Sequence, residues 1–321
     1  MTPRPHEQGV ALLSVLLIIG LMAVVSAAML DRIVVASHLA ANSGVQTRAQ
    51  GYAQAVETIA RVRIGDAMQA GQLPPEWQTR PLGFRVPEGA AVARLNDGGN
   101  CLNVNSVVQQ DRVTGATAAY PEGIEQFANL AALLGVPRAQ GERIATAVAD
   151  WIDSDSVPMA GGAEDGGYAA QGLLPPNRLV DDPSEIVSVQ GMTPEIATRL
   201  LPWMCALPVG GLSPINIDTL PAERAELFAM LGRRGLSVAT ARSILSARPA
   251  QGYQTVQFVR QLPALAGVEM TDGAWSQLQV TPRWFDLQIN VQLAGAELNQ
   301  QILIDGQDSP ARIVRRRRFE P

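Results

Sequence analysis

The sequence contains no lysine and only two histidines, His6 and His38, both close to its N-terminus. Without a histidine beyond residue 38, the rest of the chain cannot assemble a Ser-His-Asp or Cys-His catalytic centre, and a His-containing zinc site is excluded there too. Cysteine is equally scarce, with Cys101 and Cys205 the two present. Charged residues make up 17% of the 321 residues and aromatic ones 5%. All 25 basic residues are arginine, against 30 acidic ones, for a net charge of -5. That balance disfavours coating nucleic acid, which needs a basic face to neutralise phosphate. The missing lysine reads as the habit of a GC-rich genome rather than a binding device. What is abundant is hydrophobic residues, at 47%. This composition excludes disorder, and the length suits a membrane helix plus two folded regions.

The apolar residues are concentrated at the start. A polar leader of Arg4, His6, Glu7, Gln8 and Gly9 runs into Val10 to Leu30, uncharged and interrupted by Ser14, Gly20 and Ser26 alone. At about 1.5 Å per residue this stretch spans roughly 30 Å as a helix, the thickness of a bilayer core. A cleavable secretory signal is the competing reading, with Ser26, Ala27 and Ala28 as its cleavage site. Against it, the run begins directly at Gly9 and helical sequence continues beyond it. Val45, Ala49, Tyr52, Ala53, Val56, Ile59 and Ala60 recur near helical spacing, with Gln46, Arg48, Gln50, Gln54 and Glu57 mostly between them.

Strand periodicity appears twice. Gly83 to Leu95 reads as short strands around a Pro-Glu-Gly turn, and Trp284 to Leu293 alternates Phe285, Leu287, Ile289, Val291 and Leu293 with polar residues. Leu298 to Ile304 and Arg312 to Phe319 continue the second set around a turn at Gly306 to Pro310. The two ends are expected to meet in one antiparallel sheet on the N-terminal helix. Between them, helical segments are predicted near Gly123–Leu134, Gly141–Ile152, Thr193–Met204, Pro221–Leu231, Ser237–Arg248 and Thr255–Leu262. Helix-rich sequence inserted between strands of one sheet implies a separate helical subdomain. The fold class is thus α+β: a long N-terminal helix packed on an antiparallel sheet, with a large all-helical insertion. The divisions are a leader at 1–9, a membrane-spanning part at 10–30 and its amphipathic continuation at 31–70. They continue with the first part of the sheet domain at 71–103, the insertion at 104–281 and the C-terminal strands at 282–321.

Asn103-Val104-Asn105-Ser106-Val107 and Asn216-Ile217-Asp218-Thr219-Leu220 resemble each other. Both read as helix entries of two related halves, with Ser106 or Thr219 available as an N-cap; chance recurrence of turn residues is the alternative. Val187 to Leu200, and more weakly Phe258 to Met270, resemble helix-hairpin-helix segments. Asp181, Asp182, Glu185 and Glu195 surround the first and would repel phosphate. An exported domain can join Cys101 and Cys205 as a disulfide closing roughly 100 residues, worth up to about 4–5 kcal/mol in the chain-entropy account; two separate buried thiols are the alternative. Asp150 to Glu185 is rich in carboxylates and flexible glycine, a composition that suits a hard cation but also an ordinary solvated loop. Arg315 to Arg318 reads as an exposed edge-strand run that discourages aggregation, with a partner contact as the alternative.

A polar leader ending in Gly9, the helix VALLSVLLIIGLM and its amphipathic continuation resemble a type IV pilin-like leader. The resemblance implies a prepilin peptidase that cuts between Gly9 and Val10 and N-methylates Val10. The fifth residue of such a mature chain is usually glutamate; here it is Ser14, a departure that suits a subunit with no neighbour above it, the alternative being a tolerated helix residue whose hydroxyl bonds the backbone one turn back. Further along, RLNDGGNCLNVNSVV, VADWIDSDSVPMAGGAEDGGY, GMTPEIATRLLPWMCALP and PINIDTLPA, in that order, resemble the K-type minor pseudopilins of type II secretion systems. That resemblance implies a non-enzymatic subunit at the tip of the pseudopilus, anchored in the inner membrane of a Gram-negative bacterium with its C-terminal domain in the periplasm. It implies I- and J-type minor pseudopilins as partners, with the major pseudopilin and exported proteins as further ones. It also implies calcium in the insertion, carried over to Asp153, Asp155, Glu164, Asp165 and Asp181. The rival function is a membrane-anchored helix-hairpin-helix protein that binds DNA.

Overall fold

The computed structural model describes residues 5–71, 73, 77–111 and 113–319, with the backbone alone for residues 5–11. Helix α1 (Pro5–Gln69) runs unbroken for 65 residues, about 98 Å at 1.5 Å per residue. Its segment from Leu12 to Leu39 leaves large apolar side chains exposed, among them Leu13, Leu17, Met22 and Leu30. An 18-residue window there reaches a mean hydropathy of 2.7 with none of it buried. Further on, Ala49, Ala53, Val56 and Ile64 are buried, near i, i+4, i+7 spacing, so only the C-terminal half of the rod has a protein core beneath it.

Strands β1 (Leu82–Val86) and β2 (Gly89–Asp97) follow as a hairpin. The middle region then begins with β3 (Leu102–Asn103), a 3-10 turn at Val104–Val107, and the hairpin β4 (Val108–Gln110) and β5 (Thr117–Ala119). Helices α2 (Pro121–Leu133), α3 (Arg138–Ile152), α4 (Asp165–Tyr168) and α5 (Pro194–Leu200) lead to β6 (Met204–Cys205). Next come β7 (Ile215–Asn216), α6 (Glu226–Ala229), β8 (Gly232–Arg234), α7 (Val238–Ser246), α8 (Val256–Arg260), β9 (Glu269–Met270), α9 (Asp272–Gln277) and β10 (Leu278–Gln279). The chain closes with β11 (Trp284–Leu293), β12 (Ala296–Asp305) and β13 (Arg312–Arg318). The middle region is mainly helical and also carries four short two-stranded ladders.

The two ends form one sheet in the order β1-β2-β11-β12-β13, antiparallel at every pairing. Strand alternation decides its inner face: Phe285, Leu287, Ile289, Val291 and Leu293 join Ala91, Ala93, Ile302 and Ile304 against α1. On the opposite face Trp284 and Leu303 meet Leu207 of the middle region. This small apolar contact is reinforced by Asp97, whose Oδ2 accepts from Thr219 Oγ1 at 2.6 Å and Asn216 Nδ2 at 2.9 Å. Burial pushes the Asp97 carboxyl up, against the lowering effect of those donors.

The middle region is two copies of one plan. In the first, β3 pairs in parallel with β6; in the second, β7 pairs in parallel with β10. In both, an asparagine side chain turns the chain just after the opening strand: Asn103 Oδ1 accepts from Asn105 N at 3.2 Å and Asn216 Oδ1 from Asp218 N at 3.0 Å. The expected caps are therefore displaced. Ser106 lies inside the 3-10 turn, and Thr219 Oγ1 spends its donor on Asp97, because the carboxamide three residues earlier already serves the free N–H. Each copy then has two helix-turn pairs, with Gly135 and Gly191 in the first and Gly235 and Gly267 in the second. Gly191, at φ +86°, provides the left-handed turn before Thr193 caps α5, so VSVQGMTPEIATRL forms a hairpin. Both copies contribute to one core, and a reciprocal pair of buried amides, Gln126 and Gln277 at 2.8 and 2.9 Å, joins them.

The C-terminal arginines lie on the edge strand as expected, with Arg316, Arg317 and Arg318 exposed, and three of the four also make contacts within the fold. Arg316 Nε and Nη2 donate to Glu57 of α1 at 2.8 Å each, Arg317 pairs with Asp182, and Arg315 Nη1 donates to Ala206 O at 3.3 Å. Strand β13 is an edge, and three successive side chains tie it to the helix below and the helical region above.

Candidate metal centre

The last turn of α3 and the loop after it place carboxylates on one another. Asp150, fully buried, accepts the Met159 N–H at 3.1 and 3.3 Å and also that of Ala163, which folds the glycine-rich segment back over the helix end. A Cβ on Gly162 would stand 2.0 Å from Asp150 Oδ2, so this closure demands glycine. The returning chain brings Glu164, at the entry to α4, opposite Asp153 and Asp155. One carboxylate oxygen from each of the three lies within 4.8 Å of the others. Beneath them Trp151 and Tyr168 pack edge to face with ring centroids 5.0 Å apart.

Asp153 and Glu164 are 2% and 7% exposed, yet Asp153 Oδ1 and both Glu164 oxygens have no hydrogen-bond partner. Leaving ionised oxygens buried and unpartnered is costly, by several kcal/mol each in order of magnitude. The charge cluster answers electrostatically. Burial first, then the charges of Asp155, Asp150 and Glu164, push the Asp153 carboxyl up to about 7. Burial likewise raises Glu164, followed by repulsion from Asp150, Asp155 and Asp165. Asn177 adjoins the group: its Nδ2 donates to the Asp155 backbone O at 3.3 Å, and its Oδ1 is buried without a partner. Asn177 sits at φ +47°, a conformation asparagine tolerates better than most residues. An all-oxygen group with no sulfur or imidazole can hold a hard cation.

Of the five carboxylates proposed from the sequence, Asp153, Asp155 and Glu164 come together. Asp165 instead opens α4, and Asp181 Oδ2 lies 3.5 Å from Arg178. Asn177 and the loop-folding role of Asp150 are additions; the signal for Asn177 is an amide directly after two prolines at the close of the acidic segment. Cys101 and Cys205 are bridged with Cα atoms 5.8 Å apart, across a separation of 104 residues, at the β3–β6 ladder. The backbone of Gly9 and Val10 lies within α1, while the Val10 side chain falls outside the described residues; Ser14 is on the exposed apolar segment.

The two copies of the middle region coincide with two family models, both described as type II secretion system protein K, which match residues 100–209 and 215–281. Similarity extends over the full length. A protein K of Klebsiella pneumoniae is 32% identical over 318 residues, covering 97% of this chain and 96% of that one. The chain belongs to the type II secretion system protein K family. The protein K of Pectobacterium carotovorum subsp. carotovorum is 31% identical, with 98% and 97% covered, and that of Pseudomonas aeruginosa 28%, with 98% and 93%. A chain in the crystal structure of the GspK–GspI–GspJ complex of enterotoxigenic Escherichia coli superimposes with a TM-score of 0.71 at 25% identity, covering 86% of this chain and 97% of that one. Protein K is a non-enzymatic minor pseudopilin, and its helix on a sheet with a helical middle region is the fold described above. The hairpins expected as a DNA-binding alternative are parts of the two regions matched to protein K.

Proposed function

We propose that this protein starts or caps the type II pseudopilus from its tip, in association with I- and J-type minor pseudopilins. The observation that carries this reading is the asymmetry of α1. From Leu12 to Leu39 it exposes an apolar rod with none of the described residues packed around it, and its second half bears a sheet topped by a helical region larger than the sheet domain. Such a rod is stored in the inner membrane and exchanges lipid for neighbouring rods when drawn into a filament. The head extends into the periplasm, and its bulk leaves no room for a subunit above. Ser14 fits the same position, because it offers no carboxylate to pair with the N-terminal ammonium of a higher subunit. The solved relative in complex with GspI and GspJ supports the choice of partners. The major pseudopilin and exported proteins are the contacts next in line.

Processing by the prepilin peptidase between Gly9 and Val10, with N-methylation of Val10, prepares the rod for assembly. Mass spectrometry of the mature N-terminus tests this: a chain beginning at N-methyl-Val10 is expected, and a start near Ala28 would replace the reading with a secreted protein.

Calcium is the cation that Asp153, Asp155 and Glu164 hold, with Asn177 Oδ1 as a fourth oxygen. Calcium accepts six to eight oxygens in flexible geometry, so backbone carbonyls and water complete the shell of a loop like this one. Bound there, it neutralises the repulsion among the carboxylates and fixes the glycine-rich loop against α3.

A further inference from the structure

The strap from Arg178 to Asp182 connects the cation group to the sheet domain. At one end Asn177 is tied to the backbone carbonyl of Asp155, one of the three residues of the group. Arg178 Nη1 donates to Leu179 O at 2.8 Å, and Val180 is stitched into the core by Asn105, which accepts from its N–H at 2.9 Å and donates to its carbonyl at 3.0 Å. The N–H groups of Asp181 and Asp182 both donate to Glu185 Oε1, at 2.8 and 3.0 Å. At the far end the Asp182 carboxylate meets Arg317 on β13.

We propose that Arg317 is a positioning residue for the cation site. By holding Asp182 it fixes the far end of the strap, and the strap positions Asn177, whose Nδ2 donates to the Asp155 backbone carbonyl and whose Oδ1 is buried without a partner. This inference rests on the cation reading above and names how that site is controlled: occupancy and the orientation of the helical region on the sheet are coupled. Coupling of this kind is reciprocal, so what Arg317 does for the ion, the ion does for the Arg317–Asp182 contact.

Electrostatics and positioning predict opposite signs. As a nearby positive charge alone, Arg317 opposes a cation, and its removal would tighten binding. As a positioning residue, its removal loosens the Asp182 end of the strap and weakens binding, by about fivefold or more at the usual scale of such couplings. The test is calorimetric titration of calcium into the metal-stripped full chain in detergent, for wild type, Arg317→Ala, Arg317→Gln and Arg317→Lys. Weaker binding by Arg317→Ala and Arg317→Gln, largely restored in Arg317→Lys, is expected, with faster amide exchange at Val180 to Asp182 in the weak binders. Binding that is unchanged or tighter in the first two variants, while wild type binds, overturns the positioning role. A wild-type chain that takes up no calcium overturns the cation reading, and this inference with it.

Discussion

Asn105 and Asp218 occupy the same place in the two copies of the middle region: each stands two residues after the asparagine that turns the chain, and each accepts a backbone N–H from much later in its own copy. For Asn105 the donor is Val180 N at 2.9 Å, and for Asp218 it is Tyr253 N at 2.7 Å. Asn105 also donates to the carbonyls of Val180 and Leu207, at 3.0 and 2.8 Å, all within the core. Asn105→Ala strands those groups and is expected to destabilise the head by roughly 3 kcal/mol or more. Asp218→Asn keeps the acceptor and is expected to lose about 1 kcal/mol or less. Urea unfolding of both variants beside wild type checks the order.

Much of this was legible from residue pattern. Period-two alternation from Phe285 to Leu293 placed β11 and its inward face, and the resemblance between the segments at Asn103 and Asn216 pointed to two related halves. The capping residue was misassigned, because a hydroxyl at Ser106 or Thr219 and a carboxamide at Asn103 or Asn216 compete for the same local N–H groups, and sequence does not say which wins. Arg315 to Arg318 do form the exposed edge strand that the pattern implies, but their contacts were not legible, because Glu57 and Asp182, which meet Arg316 and Arg317, lie far away in the chain. For the same reason, the acidic segment announced carboxylates but not which three converge; that depends on Asp150 gathering the loop through N–H groups with no side-chain signature.

With no cation bound, pH dependence is a readout of the carboxylate group. The folded-state pKa of Asp153 is about 7, above the roughly 3.9 of an unfolded aspartate. A group raised in this way adds stability below its unfolded pKa and loses it as pH rises through the folded value. Metal-stripped protein is therefore expected to melt at a higher temperature at pH 5.5 than at pH 8, while calcium raises the melting temperature most at pH 8. Thermal melts with and without chelator check both signs; identical curves would count against the site.

The Cys101–Cys205 bridge closes the first copy of the plan at its parallel ladder. Replacing both cysteines by serine is expected to lower stability by about 2–5 kcal/mol through the less constrained unfolded chain. Denaturant midpoints of the oxidised and substituted proteins give the comparison, and an unchanged midpoint would show that the ladder closes without the bond.

Ser14→Glu adds the carboxylate that the resemblance to pilin-like leaders implies for the fifth mature residue. A carboxylate at membrane depth costs on the order of 2.5–3.5 kcal/mol on insertion scales, which an apolar run of this length tolerates. Membrane insertion is expected to persist with no gain in filament incorporation, as read by fractionation and by the yield of secreted protein. A rise in secretion would contradict the tip assignment.

The central claim is one of position. Labelling the head of the full chain in assembled pseudopili and imaging the filaments tests it most directly. Label at one end of each filament, with I- and J-type subunits beside it, is the predicted result, and label repeated along the shaft would contradict the account.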